Sequence, residues 1–402
     1  MTHVLRGAIE GPLRDFMSRL EALAPGDSFD PRVPEALVAS GLHRLPVPVS
    51  NGGLGASMPE AAAVLLRLGA VDGSTALGVA MHVHAVGSIA ESAAWPAPTR
   101  ERVYAAIVED GALVNNAATE EGGGSPARGA IPGTVAEPDG DGWRLTGEKT
   151  WTTWLPALRL AFVTARIVEP DPGDGGPPVV GVFLVDLESD GVERLGAFEA
   201  LGMRGSASGR LVLDHVPVPA DALVVRRSAE VADPRGPAPG AWFAMAIAAT
   251  YLGVGEGARA AVARWALDRR PGDGSTSVAE IPSVQLRLGR LDSALRAARI
   301  VLFDTTRRWD AAAEDTRQAL VPDLALTKIT ATNAAVTATD EALRIAGGPG
   351  FLTGPLERAF RDARAGLINP PLDDVALAGF GRTVLDGQAA GQRQADQRVR
   401  SS

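Results

Sequence analysis

Residues 342–374 read ALRIAGGPGFLTGPLERAFRDARAGLINPPLDD. A helical pattern ends at Ile345 and Ala346. Gly347, Gly348 and Gly350 follow, residues that take positive φ or let the backbone approach another group closely. Glu357, Arg358, Arg361, Asp362 and Arg364 then fall on one short amphipathic segment. Pro370 and Pro371 keep any further helix from starting before Leu372. Punctuation this dense marks a site, and the rest of the chain decides its kind.

The 402 residues exceed what one small core holds, so two or three domains are expected. With 46% apolar and 22% charged residues the chain is a globular one. Its net charge of −9 argues against a nucleic-acid surface, which needs a concentrated basic face. The absence of cysteine removes disulfides, thiolate nucleophiles and Cys-based metal centres together. The N-terminal residues lack the apolar run of a signal peptide, and a cytoplasmic location is the expectation. The longest apolar run, residues 241–254, is shorter than the roughly 20 residues of a bilayer span. It is read as a buried core helix, with no membrane partner. Lys149 and Lys328 are the only lysines beside abundant arginine, a bias that fits a GC-rich genome better than a function.

From about residue 9 to 110 the pattern is helical. Leu13, Phe16, Met17 and Leu20 form an amphipathic stripe. Residues 59–71 and 76–94 continue it, with Gly73 and Ser74 as the break, and Asn51, Gly52, Gly53 and Gly55 mark a loop. From about residue 112 the chain turns to short β-favouring runs at 112–116, 143–146, 160–166, 179–185 and 210–214, separated by turn clusters at 139–142 and 169–178. This predicts an antiparallel β domain, with residues 227–240 as an exposed connector. From Ala241 helical stripes return: Leu288, Leu291, Leu295 and Leu302, then Ile329, Val336 and Leu343, as in a bundle. A last helix is expected over 373–387, with a frayed tail. The domains are therefore drawn at 1–111, 112–228 and 229–402.

Three further motifs carry chemistry. Thr119, followed by Glu120, Glu121, three glycines ending at Gly124, and Ser125, presents hydroxyls and bare N–H groups to a ligand, or is a plain surface turn. In Gly147-Glu148-Lys149-Thr150-Trp151-Thr152-Thr153, Trp151 either lies on a planar ring, with Thr153 donating to a ring nitrogen, or is a strand tryptophan in a β core. Leu201-Gly202-Met203-Arg204-Gly205-Ser206 forms a turn before the last expected strand.

Together with residues 342–374, these motifs in this order resemble the acyl-CoA dehydrogenase family. The resemblance implies an α+β fold with an N-terminal helical domain, a middle antiparallel β domain and a C-terminal four-helix bundle. It implies FAD between the β domain and the bundle, an acyl thioester substrate, an electron acceptor or reductase partner, and a homotetramer built as a dimer of dimers. Thr119, Gly124 and Ser125 match the loop touching flavin and substrate, and Trp151 and Thr153 match the strand packing on the isoalloxazine. Arg269 or Arg270, with Gln285, falls near the pair that holds the pyrophosphate, and Gly347, Gly348 and Gly350 match the turn meeting a neighbouring subunit's adenine half. The loop at Arg269 departs from the usual R-x-x-F-G form.

The chain departs from the family at the catalytic base. The usual glutamate lies eight residues after the Asp of the R-D-A run, and here that position is Pro370, flanked by Asn369, Pro371 and Leu372. Some members place the base on the first bundle helix, and the matching position is close to Phe243, with no acid within a turn. Asp373 and Asp374 are the nearest carboxylates in sequence. They either stand in as the base or serve as an N-cap and first-turn charge. Glu120 or Glu121 is a loop carboxylate at a position that is not usually catalytic. His82 and His84 lie two apart on a helix, where they do not share a face, so a metal pair is not expected; either one of them points into the substrate cavity near the flavin or, the plainer reading, they pack the helix. His215 reads as structural. The expected function is FAD-dependent α,β-dehydrogenation of an acyl thioester. The alternative is a two-component flavin monooxygenase of the same fold, which needs no α-proton base.

Overall fold

A computed structural model describes residues 5–122, 130–168, 176–272 and 274–400, with side chains to residue 388. Five helices come first: α1 (Gly7–Leu23), α2 (Arg32–Ser40), α3 (Met58–Val71), α4 (Gly73–Glu91) and α5 (Ala97–Asp110). Strands follow: β1 (Val114–Ala117), β2 (Val135–Asp139), β3 (Gly142–Thr152), β4 (Leu160–Ile167), β5 (Val179–Asp186), β6 (Val192–Ala197), β7 (Gly209–Val218) and β8 (Leu223–Ser228). The remaining helices are α6 (Ala238–Asp268), α7 (Pro282–Ala311), α8 (Val321–Ala346), α9 (Gly348–Phe351), α10 (Pro355–Ile368) and α11 (Asp373–Arg400).

The α1 stripe buries Leu13, Phe16 and Leu20 as its spacing requires, with Ile9 added and Met17 at the margin. Helix α3 starts on a capping box between Ser57 and Glu60. The break after α3 is at Asp72 rather than at Gly73 and Ser74. Asp72 is extended, and its carboxylate accepts the Thr75 N–H at 2.7 Å, so the expected breakers become the first turn of α4.

The sheet is mixed, which corrects the antiparallel expectation. Its order is β6-β7-β3-β2-β4-β5-β8, and β1 also pairs with β4. Both β1 and β2 run parallel to β4, β1 over Leu160 to Val163 and β2 at Arg166 and Ile167. They share one edge of β4 because β5 occupies the other. Alternation along single strands reports burial and carries no information about the direction of the neighbour.

Helix α6 is the hub of the C-terminal half and packs on α3, α4, α7, α8 and α10. It is long and apolar enough to cross a membrane by composition, yet 83% of its most apolar window is buried in the fold, as expected of a core helix. Helices α6, α7, α8 and α10 form the bundle and α11 lies against α8. Two boundaries move. Residues 227–240 are not a plain exposed connector: Arg227 belongs to β8, and Arg235 stacks on Trp95 at 5.1 Å while pairing with Asp233 at 2.6 Å. Helix α11 continues past residue 387 to Arg400.

Candidate active site

Helix α4 organises the site by accepting a tryptophan on each of two faces. A Cβ at Gly78 would lie 2.0 Å from the Trp154 indole, and one at Gly87 would lie 2.4 Å from the Trp242 indole. Nine residues at about 100° each put these glycines on opposite sides of the helix. Trp154 arrives from the end of β3 and Trp242 from the first turns of α6, so α4 is clamped between sheet and bundle.

The same arithmetic separates the two histidines. His82 is about 40° from the Gly78 direction and His84 about 60° from the Gly87 direction. On the sheet side, His82 Nδ1 accepts the Val114 N–H at 3.1 Å and Nε2 meets the His43 carbonyl at 2.7 Å. Both nitrogens are used, so His82 is a packing residue, as expected. On the bundle side, the His84 ring meets Phe243 edge-on, centroids 5.3 Å apart, and its Nε2 takes the Asn116 amide at 2.8 Å. Burial holds each ring's pKa down at about 4. His84 thus lies against Phe243, the residue near which the sequence resemblance puts a second base position.

The other half of the site is the outgoing end of β3. Trp151 has φ 57° and a 51% exposed side chain. A non-glycine residue in left-handed backbone costs about 1–3 kcal/mol and persists only where its surroundings impose it. The indole is therefore outside the β core, against Phe198 with centroids 4.7 Å apart. Thr153 is buried beside it. Its carbonyl accepts from Asn115 Nδ2 at 3.2 Å, and its Oγ1 pairs with Ser208 Oγ at 2.9 Å. Ser208 in turn meets Ser206 Oγ at 3.0 Å. An open aromatic face next to a fixed hydroxyl fits a planar, nitrogen-bearing ring such as a flavin.

Thr119 lies at the β3 edge, its carbonyl accepting the Thr150 N–H at 2.8 Å. Gly124 and Ser125 lie outside the described residues. Glu120 is a structural carboxylate. It accepts from Gly133 N at 2.5 Å, from Thr134 N at 3.0 Å and Oγ1 at 2.7 Å, and from the fully buried Lys149 Nζ at 2.5 Å. These donors outweigh burial and hold its pKa below the usual carboxylate range. Glu121 is exposed and pairs with Arg210 at 3.1 Å, and His215 is exposed beside Asp214.

The charged run of α10 serves the protein itself. Arg358 is held by Asp72 and by the Pro25 carbonyl at 2.9 Å. Arg361 binds Glu357 at 2.5 Å, Asp27 at 3.1 Å and the Leu201 carbonyl at 3.1 Å. The Asp362 carboxylate accepts the Met203 N–H at 2.5 Å, and burial pushes its pKa up to about 6. This pins the 201–206 turn to α10.

Asp373, at the start of α11, accepts from Asn333 Nδ2 at 2.6 Å and stands 3.6 Å from the buried Lys328 Nζ. Its surroundings are those of a tie between α11 and α8, and Asp374 is exposed one residue on. Asn369 donates to the buried Tyr251 hydroxyl at 3.3 Å. Arg269, Arg270 and Gln285 are exposed around the α6–α7 loop, with Gln285 Nε2 on the Ala279 carbonyl at 3.0 Å. Gly347 has φ 63°, as expected for a residue ending α8; Gly348 is exposed and Gly350 is packed on Ala346. No hydrogen bond or ion pair among the described residues joins these loops to Trp151 or Thr153.

Sequence reasoning missed the hydroxyl row Ser206–Ser208–Thr153 and the roles of Asn115 and Asn116. A signal was present: two asparagines inside a short strand, where asparagine is disfavoured, mark side chains used for something other than packing.

Family models cover both later parts of the chain: the acyl-CoA dehydrogenase middle domain over residues 115–216 and the C-terminal domain over residues 245–368. The chain is 34% identical over 342 residues to the putative acyl-CoA dehydrogenase YdbM of Bacillus subtilis (strain 168), covering 84% of this chain and 85% of that protein. Its fold is similar to that of KijD3 in complex with FMN and a dTDP-linked amino keto sugar, with a TM-score of 0.79, 25% identity and 95% of each chain covered. The butyryl-CoA dehydrogenase of Megasphaera elsdenii shares the fold with a TM-score of 0.81 at 20% identity, over 96% of this chain and 100% of that one. Motifs, fold and these likenesses agree, and the chain belongs to the acyl-CoA dehydrogenase family of flavoproteins.

Proposed function

We propose that this flavoprotein dehydrogenates a specialised acyl thioester, on coenzyme A or a carrier protein, across its α,β-bond with FAD as the flavin. The observation that carries the reading is the open Trp151 face beside the fixed Thr153 hydroxyl. When bound there, the flavin supplies a two-electron acceptor. Trp151 would cover its ring face, and Thr153 would donate to a ring nitrogen. His84 is the proton acceptor in place of the missing glutamate. With its pKa near 4 the ring is neutral at physiological pH; its Nε2 lone pair holds the Asn116 amide, so proton transfer requires the substrate to displace that amide, and Phe243 fixes the ring plane. Asp373 and Asp374 hold the start of α11.

In the assembled enzyme, Arg269, Arg270 and Gln285 bind the pyrophosphate, and Gly347, Gly348 and Gly350 meet the adenine half from a second copy of the chain. Guanidinium groups and bare backbone N–H groups suit a diphosphate. Gly124 and Ser125 complete the flavin loop with Thr119. The proposed assembly is a dimer of dimers in the cytoplasm, with domains at 1–111, 112–228 and 229–402 and a separate electron acceptor.

Flavin-dependent monooxygenation is the second reading. It is favoured by Pro370 and Phe243, which leave both usual base positions without a carboxylate. Anaerobic mixing with acyl thioesters separates the two. Bleaching of bound flavin, lost in His84→Gln, supports dehydrogenation. Oxygen uptake that depends on externally supplied reduced flavin supports monooxygenation. Protein that takes up neither FAD nor FMN contradicts both.

A further inference from the structure

A cavity of about 10 Å³ lies where the α1–α2 loop, the start of α4 and the 204–206 turn meet. That is the room of a single water molecule. Ser28, Asp30, Asp72, Ser74, Trp154 and Gly205 are among the residues that line it.

The Ser74 hydroxyl is the polar group here that the fold does not satisfy. Ser74 is 2% exposed, and its Oγ has no hydrogen-bond partner among the described residues. A buried hydroxyl without a partner carries its full desolvation penalty. Ser74 also stands in the first turn of the 19-residue helix α4, where backbone N–H groups have no acceptor inside the helix. Asp72 serves that of Thr75 at 2.7 Å.

Gly205 keeps the gap open. A Cβ on it would stand 3.3 Å from Ser74 Oγ, 3.3 Å from the Ser28 carbonyl oxygen and 3.1 Å from Ser74 Cβ. Two oxygens from distant parts of the chain therefore border the same space, and only a glycine leaves both uncovered.

The charges around the cavity select a neutral occupant. One oxygen of Asp72 takes the Thr75 N–H and the other is held by Arg358. Asp30 takes the Arg32 guanidinium at 2.6 Å and the Arg32 N–H at 3.0 Å. Both carboxylates are thus committed to donors, so the cavity offers little net charge to a cation. Two carboxylates and a carbonyl oxygen in the wall exclude an anion. What fits is a small neutral molecule that both donates and accepts.

We propose that this cavity is a binding site for one ordered water molecule, held by the Ser74 hydroxyl and the Ser28 carbonyl, which joins the α1–α2 loop to α4 at the 204–206 turn. The inference is independent of the flavin reading. It gives the glycine of the Leu201–Ser206 motif a physical role, because the missing side chain at Gly205 leaves the water its place. The turn it supports is the one that Asp362 holds at Met203, and it leads to the Ser206 carbonyl, which accepts the Trp154 N–H at 2.8 Å.

The test is a crystal structure of the full chain at a resolution that shows ordered water, with Ser74→Ala and Gly205→Ala solved alongside. The wild-type map should show one peak within about 3 Å of both Ser74 Oγ and the Ser28 carbonyl oxygen. The peak should be gone in Gly205→Ala, where the added methyl takes its space, and weakened or displaced in Ser74→Ala. Water relaxation dispersion in solution should count one long-lived internal water fewer in Gly205→Ala than in wild type. A wild-type map with no peak there overturns the proposal, and so does a peak that stays unchanged in both variants. A peak with an oxygen shell at about 2.3–2.6 Å, as around a metal ion, overturns the neutral assignment. If Gly205→Ala does not fold, the wild-type and Ser74→Ala maps decide.

Discussion

Helix α10 and the outgoing end of β3 both carry groups that read as ligand contacts, and the fold treats them in opposite ways. On α10, Arg358, Arg361 and Asp362 each find protein partners in Asp72, Asp27, Pro25, Leu201 and Met203. At β3 the Trp151 face is open and its backbone is left-handed. The difference teaches that a charged run beside a glycine turn is not by itself a cradle. What marks a site is a side chain held in a costly conformation with a face still uncovered. Asp362 links the two regions, because the turn it pins leads to Ser206 and so to Thr153.

The largest expected effect tests the lock. Asp362→Ala removes the acceptor for Met203 N and a carboxylate near Arg358, and should cost about 3–5 kcal/mol in urea unfolding. A loss below about 1 kcal/mol would break the contrast from the α10 side.

Acid stability comes next, since the buried groups carry opposite signs. The folded pKa values of His82 and His84, about 4, lie below the ordinary 6.5. The stability each contributes is present above pH 6.5 and lost as pH falls toward 4, on the order of 3 kcal/mol per ring. Asp362 has a folded pKa of about 6 against an ordinary 3.8. Its contribution is present below the ordinary value and lost as pH rises toward 6, on the order of 3 kcal/mol. Between pH 4 and 6, the rise of stability with pH should therefore steepen in Asp362→Asn and flatten in His84→Gln. Parallel profiles for wild type and both variants would contradict these environments.

A smaller stability effect with a large binding effect is expected at Trp151. Trp151→Ala should change unfolding free energy by less than about 1 kcal/mol, because the half-exposed indole gives up little beyond its Phe198 contact while the Cβ that strains the left-handed backbone is retained. Flavin affinity should fall at least about tenfold, the loss of one well-placed aromatic contact. A large stability loss with unchanged flavin binding would return Trp151 to the core.

The smallest stability effect belongs to the exposed loop arginines. Arg269→Ala should leave stability within about 0.5 kcal/mol, and weaken FAD while sparing FMN. Equal weakening of both flavins would sink the pyrophosphate assignment.

The α–β–α order, the amphipathic stripes of α1 and α7, the buried nature of α6 and the family itself were legible in the sequence. Those features are written in local periods and in glycine and proline punctuation. The proposed loss of the usual base rests on the sequence in the same way, because proline at position 370 has no proton-accepting group wherever it lies. Other features required chain segments far apart to meet. The direction of β1 and β2 against β4 was one, and the division of labour between His82 and His84 was another. So were the tie of Asp373 to Lys328 and Asn333 and the row from Ser206 to Thr153. A hydrogen bond that spans 32 or 55 residues leaves no periodic trace in the sequence. Only the packed structure decides which buried hydroxyl or imidazole is satisfied and which still faces outward, because each buried polar group must take its partner from whatever the fold brings within about 3 Å.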